Sequence, residues 1–134
     1  MGAPDASDTE RFTCSQARTD TSRTVVALCA DLTEQQARRL HDDALLIASE
    51  LASNALRHGG GITGFSARVH DGALVVEVSD RSPHAPLLRP HDPTVPGGFG
   101  WMMVNDLAHA VTVEAHDRGK TISAVLGTAP YRRP

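Results

Sequence analysis

Glu50, Asn54 and Arg57 stand four and then three residues apart in the run ASELASNALRHGG, a spacing that stacks side chains on one face of an α-helix. An Asn side-chain oxygen can ligate a hard cation such as Mg²⁺, and a carboxylate one turn earlier can take the proton from an attacking hydroxyl. The pair suits phosphoryl transfer. An amphipathic helix presents the same stripe to solvent for no chemical purpose, so the stripe alone decides nothing.

Two further groups of residues have chemical potential. Asp80 closes the run ALVVEVSD, at the C-terminal end of what reads as a buried strand. A carboxylate there either caps the following turn or accepts a hydrogen bond from a ligand's exocyclic amine, such as that of adenine, while meeting a lone pair at guanine O6. The run Gly97-Gly98-Phe99-Gly100 precedes a helical segment. Its backbone could approach a phosphate closely, with the free amides of the helix start turned toward it, although glycines also serve as a flexible lead into a helix. Gly119-Lys120-Thr121 reads as a hairpin turn and its first strand residue.

These residues need a scaffold. Thr33 with Gln36 resembles a capping box, and apolar residues from Leu40 through Ala44, Ala48, Leu51, Ala55 and Leu56 keep helical spacing until Gly59-Gly60-Gly61. A shorter helix is expected over residues 16–31 and a short edge strand over residues 10–14. Strands over residues 62–69 and 73–79 flank Asp71-Gly72, and strands over residues 110–115 and 121–126 flank Asp117-Arg118-Gly119, giving two hairpins. Residues 81–98 hold five prolines and can sustain neither helix nor central strand. A short helix over residues 99–109 follows. The order predicts an α+β fold, a two-layer sandwich with helices on one face of a mainly antiparallel sheet.

The whole chain has 134 residues, 40% hydrophobic and 22% charged, with a formal net charge of -3. One domain over residues 10–127 is expected, with a disordered tail over residues 1–9 and a C-terminal tail over residues 128–134. Scattered basic residues give no reason to expect direct nucleic-acid binding, and no apolar run is long enough to span a membrane. Cys14 and Cys29 lack metal or disulfide spacing, and the seven histidines show no ligand pattern, which fits a reducing cytoplasm.

Taken in order, ASELASNALRHGG, VEVSDRSPHAP, GGFGWMMVNDLA and GKTISAVL resemble the ATPase domain shared by gyrase, heat-shock chaperones, histidine kinases and mismatch-repair proteins. The likeness covers roughly residues 10–127 and is strongest to the single-domain anti-sigma-factor serine kinases, particularly the small actinobacterial ones. The resemblance implies an α/β sandwich with a mixed, mainly antiparallel sheet, binding ATP and Mg²⁺. It implies that Glu50 activates the phosphate acceptor, Asn54 binds Mg²⁺, Asp80 reads adenine, and Gly97, Gly98 and Gly100 face the phosphates. Thr121 matches a hydroxyl supporting adenine recognition, and residues 81–96 match a nucleotide lid in which Ser82 and Pro83 are usual for the actinobacterial branch.

The typical member of that branch binds a sigma factor and phosphorylates a serine of an anti-anti-sigma factor, and the resemblance allows a homodimer. Arg57 and His58 could touch phosphate or a protein partner, and an exposed helix end explains them nearly as well. Phe99 and Trp101 depart from the family pattern and could crowd the phosphates, with Trp101 also reading as helix core. They leave open a second reading, a non-catalytic anti-sigma module that binds nucleotide weakly or not at all.

Overall fold

A Thr-x-x-Gln sequence starts each of the first two helices. In the computed structural model, which describes residues 13–84 and 98–132, Thr13 Oγ1 accepts from the Gln16 amide at 3.1 Å while Gln16 Oε1 accepts from the Thr13 amide at 2.9 Å. This reciprocal cap opens helix α1, Cys14–Val25. The expected edge strand over residues 10–14 is therefore corrected at its described end, because Thr13 caps a helix and Cys14 lies within it; residues 10–12 fall outside the described region. The helix expected over residues 16–31 ends early, passing at Val26–Leu28 into a 3₁₀ turn. Two consecutive β-branched residues, Val25 and Val26, stand at that change, where crowding at χ1 disfavours continuation.

Thr33 and Gln36 repeat the box at the start of α2, Glu34–His58. Its 25 residues make a rod about 37 Å long. Leu40, Ala44, Ile47, Ala48, Leu51, Ala52 and Ala55 form its buried stripe. Leu56, read with the apolar face, is 47% exposed.

The strands are β1 (Ile62–His70), β2 (Ala73–Asp80), β3 (Ala110–His116) and β4 (Gly119–Gly127), in the sheet order β1-β2-β4-β3. Each of the three pairings among the described residues is antiparallel. Asp71 and Gly72 both have positive φ, 50° and 74°, as the tight β1–β2 turn requires. Between the hairpins runs α3, Gly98–Leu107. It stops short of the expected residue 109 because the His109 amide has already joined the sheet through the Val125 carbonyl, at 2.7 Å.

Strand alternation sets what faces the helices. Leu74, Val76 and Val78 of β2 and Ile122, Ala124 and Leu126 of β4 are buried in one cluster with the apolar stripe of α2, with Ala17 and Val25 of α1 and with Val104 of α3. The opposite sheet face carries polar pairs such as Arg68 with Glu77 at 3.0 Å. Residues 128–131, expected as a tail, belong to the packed body. Ala129–Tyr131 forms a 3₁₀ turn, Tyr131 is 7% exposed, and its phenol donates to the Asp43 carboxylate on α2.

Candidate functional site

The site lies along the C-terminal half of α2, between the end of β2, the start of β4 and the start of α3. At one end, Asp80 is buried, 3% exposed, against Gly59, the residue that ends α2. A methyl group on Gly59 would overlap the Asp80 carboxyl group. The Arg81 amide donates to the Gly59 carbonyl at 2.8 Å, tying the strand end to the helix end. Gly119 is pressed against the Asp80 carbonyl so closely that no Cβ could fit. Three backbone segments thus converge at Asp80, and glycine permits two of those approaches, one to its carboxyl group and one to its backbone carbonyl.

Asp80 makes the turn cap that its position allowed: the Ser82 amide donates to Oδ1 at 2.9 Å. Its other oxygen, Oδ2, takes Lys120 Nζ at 2.8 Å, in an ion pair whose side chains are only 4% and 6% exposed for Asp80 and Lys120. Lys120 also donates to the Ser82 carbonyl at 3.2 Å. Register explains the pair, since Asp80 and Lys120 are direct cross-strand partners on the helix-facing side. Removing one member of such a pair leaves an uncompensated buried charge.

Thr121 is placed differently from its expected role. It pairs with Ser79 across the strands, their hydroxyls 2.8 Å apart, and His116 Nε2 lies 3.4 Å from the same oxygen. Period-two alternation turns it to the sheet face opposite Asp80. The adenine-side hydroxyl implied at Thr121 is accordingly corrected: the residue beside Asp80 is Lys120. The signal was present in the sequence, because Ile122, Ala124 and Leu126 set the inward phase and Lys120 shares it.

At the other end, the half-buried Glu50 lies against the start of α3, and a Cβ on Gly100 would overlap its Oε2. The first amides of a helix lack intrahelical partners and carry the positive end of its dipole, so a carboxylate is favoured there. Asn54, half-buried, sits one turn further along the same face of α2, and its side chain makes no hydrogen bond among the described residues. Arg57 and His58 are exposed in the last turn, where positive charge also suits the helix C-terminus. Ser82 builds the turn after Asp80, and Pro83 is exposed beyond it. Trp101 packs against the core, as its helix-core reading expected, with its indole Nε1 sealed from solvent and unpartnered among the described residues. Gly98 and Phe99 lie in the first turn of α3, and residues 85–96 of the expected lid, with Gly97 after them, fall outside the described residues.

Among the described residues no three His, Cys, Asp or Glu side chains gather as a metal cluster. Mg²⁺ does not need one, because it commonly takes one or two protein oxygens together with phosphate oxygens. Glu50 and a triphosphate approaching the α3 start would both be negative. A cation held in part through the Asn54 oxygen would offset that repulsion, and the donor set fits one. Among the described residues no helix is long and apolar enough to cross a membrane.

Comparison with known proteins bears on this arrangement. The histidine kinase domain of the Erythrobacter litoralis EL346 blue-light activated histidine kinase superposes with a TM-score of 0.56 at 15% identity, over 87% of this chain and 63% of that one. This chain therefore spans less than two thirds of that domain, and the likeness speaks for the fold. The longer EL346 kinase matches at a TM-score of 0.49 and 17% identity, over 87% of this chain and 46% of that one. A search of curated proteins found no match. The family model for the histidine kinase-like ATPase domain matches residues 12–126, a span that takes in α2, both hairpins and the start of α3. With the site strung along α2 and nearly the whole folded body inside that match, the chain belongs to the histidine kinase-like ATPase domain family.

Proposed function

We propose that the chain binds ATP with Mg²⁺, holds a sigma factor, and phosphorylates a serine of an anti-anti-sigma factor. The observation that carries the reading is the seat of the Glu50 carboxylate against Gly100 at the start of α3, with Asn54 one turn away on the same helix face. Base and phosphate-binding amides thereby meet at one point. The triphosphate lies along α2, its base toward Asp80 and its terminal phosphate toward α3. Glu50 accepts the proton of the serine hydroxyl as that oxygen bonds to the γ-phosphorus, the bond from the γ-phosphorus to its bridging oxygen breaks, and ADP leaves. When bound, Mg²⁺ held through Asn54 offsets the triphosphate charge. The half-buried Trp101 anchors α3 against the core and so fixes where its first amides stand.

The test is incubation with Mg-ATP and candidate anti-anti-sigma proteins, with phosphoserine read by mass spectrometry. Phosphoserine that disappears in Glu50→Gln is the expected result. Its absence with every such partner would defeat the catalytic claim.

One observation favours the second reading, a non-catalytic sigma-binding module that binds nucleotide weakly or not at all: both oxygens of Asp80 already have donors inside the chain. Trp101 is the sole tryptophan, so its fluorescence reports on the site. Saturable quenching by Mg-ATP that Asn54→Ala abolishes argues against the second reading, and no response at millimolar ATP argues for it.

A further inference from the structure

Lys120 changes what the Asp80 end of the site offers a nucleobase. A lone carboxylate only accepts hydrogen bonds, so it takes the amine of adenine and repels the O6 lone pairs of guanine. Here the carboxylate has an ammonium group 2.8 Å away, and both are buried where the end of β2 meets the start of β4. The hydrogen-bonding capacity of the pair is only partly used. Asp80 receives the Ser82 amide on Oδ1 and Lys120 on Oδ2, while each carboxylate oxygen has two lone-pair sites. Lys120 Nζ donates to Asp80 Oδ2 and to the Ser82 carbonyl, and an ammonium has three N–H groups. Among the described residues, one N–H of the ammonium and at least one lone pair of the adjoining carboxylate are left without a partner.

Adenine presents a donor, its amine, beside an acceptor, N1. Guanine and hypoxanthine present an acceptor, O6, beside a donor, N1–H. An acceptor next to a donor complements both edges, with the two bonds exchanged. Adenine gives its amine proton to Asp80 and takes a proton contact from Lys120 at N1; a 6-oxopurine takes Lys120 at O6 and gives N1–H to Asp80. We propose that Lys120, paired with Asp80 across β2 and β4, is a specificity-determining residue that admits 6-oxopurine nucleotides to the site alongside ATP. This rests on the nucleotide-binding reading above and deepens it.

Gly119 supports the assignment, because its lack of a side chain lets β4 close on the Asp80 carbonyl and bring the next residue level with the carboxylate. The Thr121 hydroxyl does not substitute for the lysine, since it faces the other side of the sheet and is held by Ser79.

The experiment is calorimetric titration of the full chain with the Mg²⁺ complexes of ATP, GTP and ITP. ITP carries O6 and N1–H without the 2-amino group, so it isolates the edge from crowding at C2. The expected result is a Kd for ITP within about tenfold of that for ATP, because both edges find two partners. In Lys120→Thr the ITP-to-ATP ratio of Kd rises by at least about tenfold, and Lys120→Arg, which keeps charge and donors, restores it. Circular dichroism checks each variant's fold, and the wild-type comparison stands whether or not Lys120→Thr folds. Binding of ATP with ITP and GTP each more than about a hundredfold weaker in the wild type overturns the proposal and leaves the ATP reading intact. Saturable binding by none of the three overturns both.

Discussion

Gly59 and Gly100 are each pressed against a carboxyl group, but the two contacts have different consequences. A methyl on Gly100 would meet the far end of the Glu50 side chain, and a methyl on Gly59 would meet Asp80 from its Cβ to its Oδ2. Glu50 can swing away on its flexible stem, whereas Asp80 is fixed by the Ser82 amide, Lys120 and its own strand. Gly100→Ala is expected to leave denaturant stability within about 1 kcal/mol of wild type, helped by the better helix propensity of alanine. Because Glu50 leaves the α3 start, phosphoryl transfer falls at least about tenfold while nucleotide affinity changes little. Gly59→Ala is expected to cost about 1–3 kcal/mol by overpacking. Urea unfolding of both variants checks the contrast, and equal losses would contradict it.

Periodicity made the elements legible where apolar residues repeat. The stripe of α2, its capping box and both hairpins follow from spacing and turn residues. The start of α1 did not, although Thr13 and Gln16 carry the same signature as Thr33 and Gln36; Ala17, Thr21 and Val25 make so sparse an apolar stripe that the helix start was read as an edge strand. Lys120 was missed for a different reason. A lysine beside a glycine turn reads as exposed, and only the cross-strand partner Asp80 makes its burial tolerable. The caps can be tested directly. Thr33→Ala removes an acceptor from the Gln36 amide and should lower stability by about 1 kcal/mol in urea titration. Thr33→Asp, which keeps a cap acceptor, should recover most of it.

At the scale of the whole molecule, the C-terminal turn bolts the far side of α2 to the end of β4. Tyr131 ionises normally near 10.0, and burial first, then its hydrogen bond to Asp43, raises it well above that. The folded chain therefore keeps the phenol proton at pH values where the unfolded chain releases it. The contribution to stability is complete below the unfolded value and declines as pH rises from there toward the folded one. Wild type should exceed Tyr131→Phe by about 1.5–3 kcal/mol near neutral pH, the worth of a hydrogen bond to a charged group. Thermal unfolding between about pH 8 and about pH 11 should show that margin shrinking only at the alkaline end. A margin that stays constant across the range would mean the phenol titrates alike in both states.

The same helix that Tyr131 anchors carries Glu50, Asn54 and Gly59 on one unbroken rod, so α2 works as a ruler for whatever lies along it. Side chains on its other faces can vary without disturbing the interval between the proton acceptor and the Asp80 pocket. Length cannot: a single residue inserted between Leu51 and Asn54 would advance one end by about 1.5 Å and turn it by about 100° relative to the other. Substitution is thus the permitted currency of divergence along this segment, and insertion is confined to the connections beyond its ends.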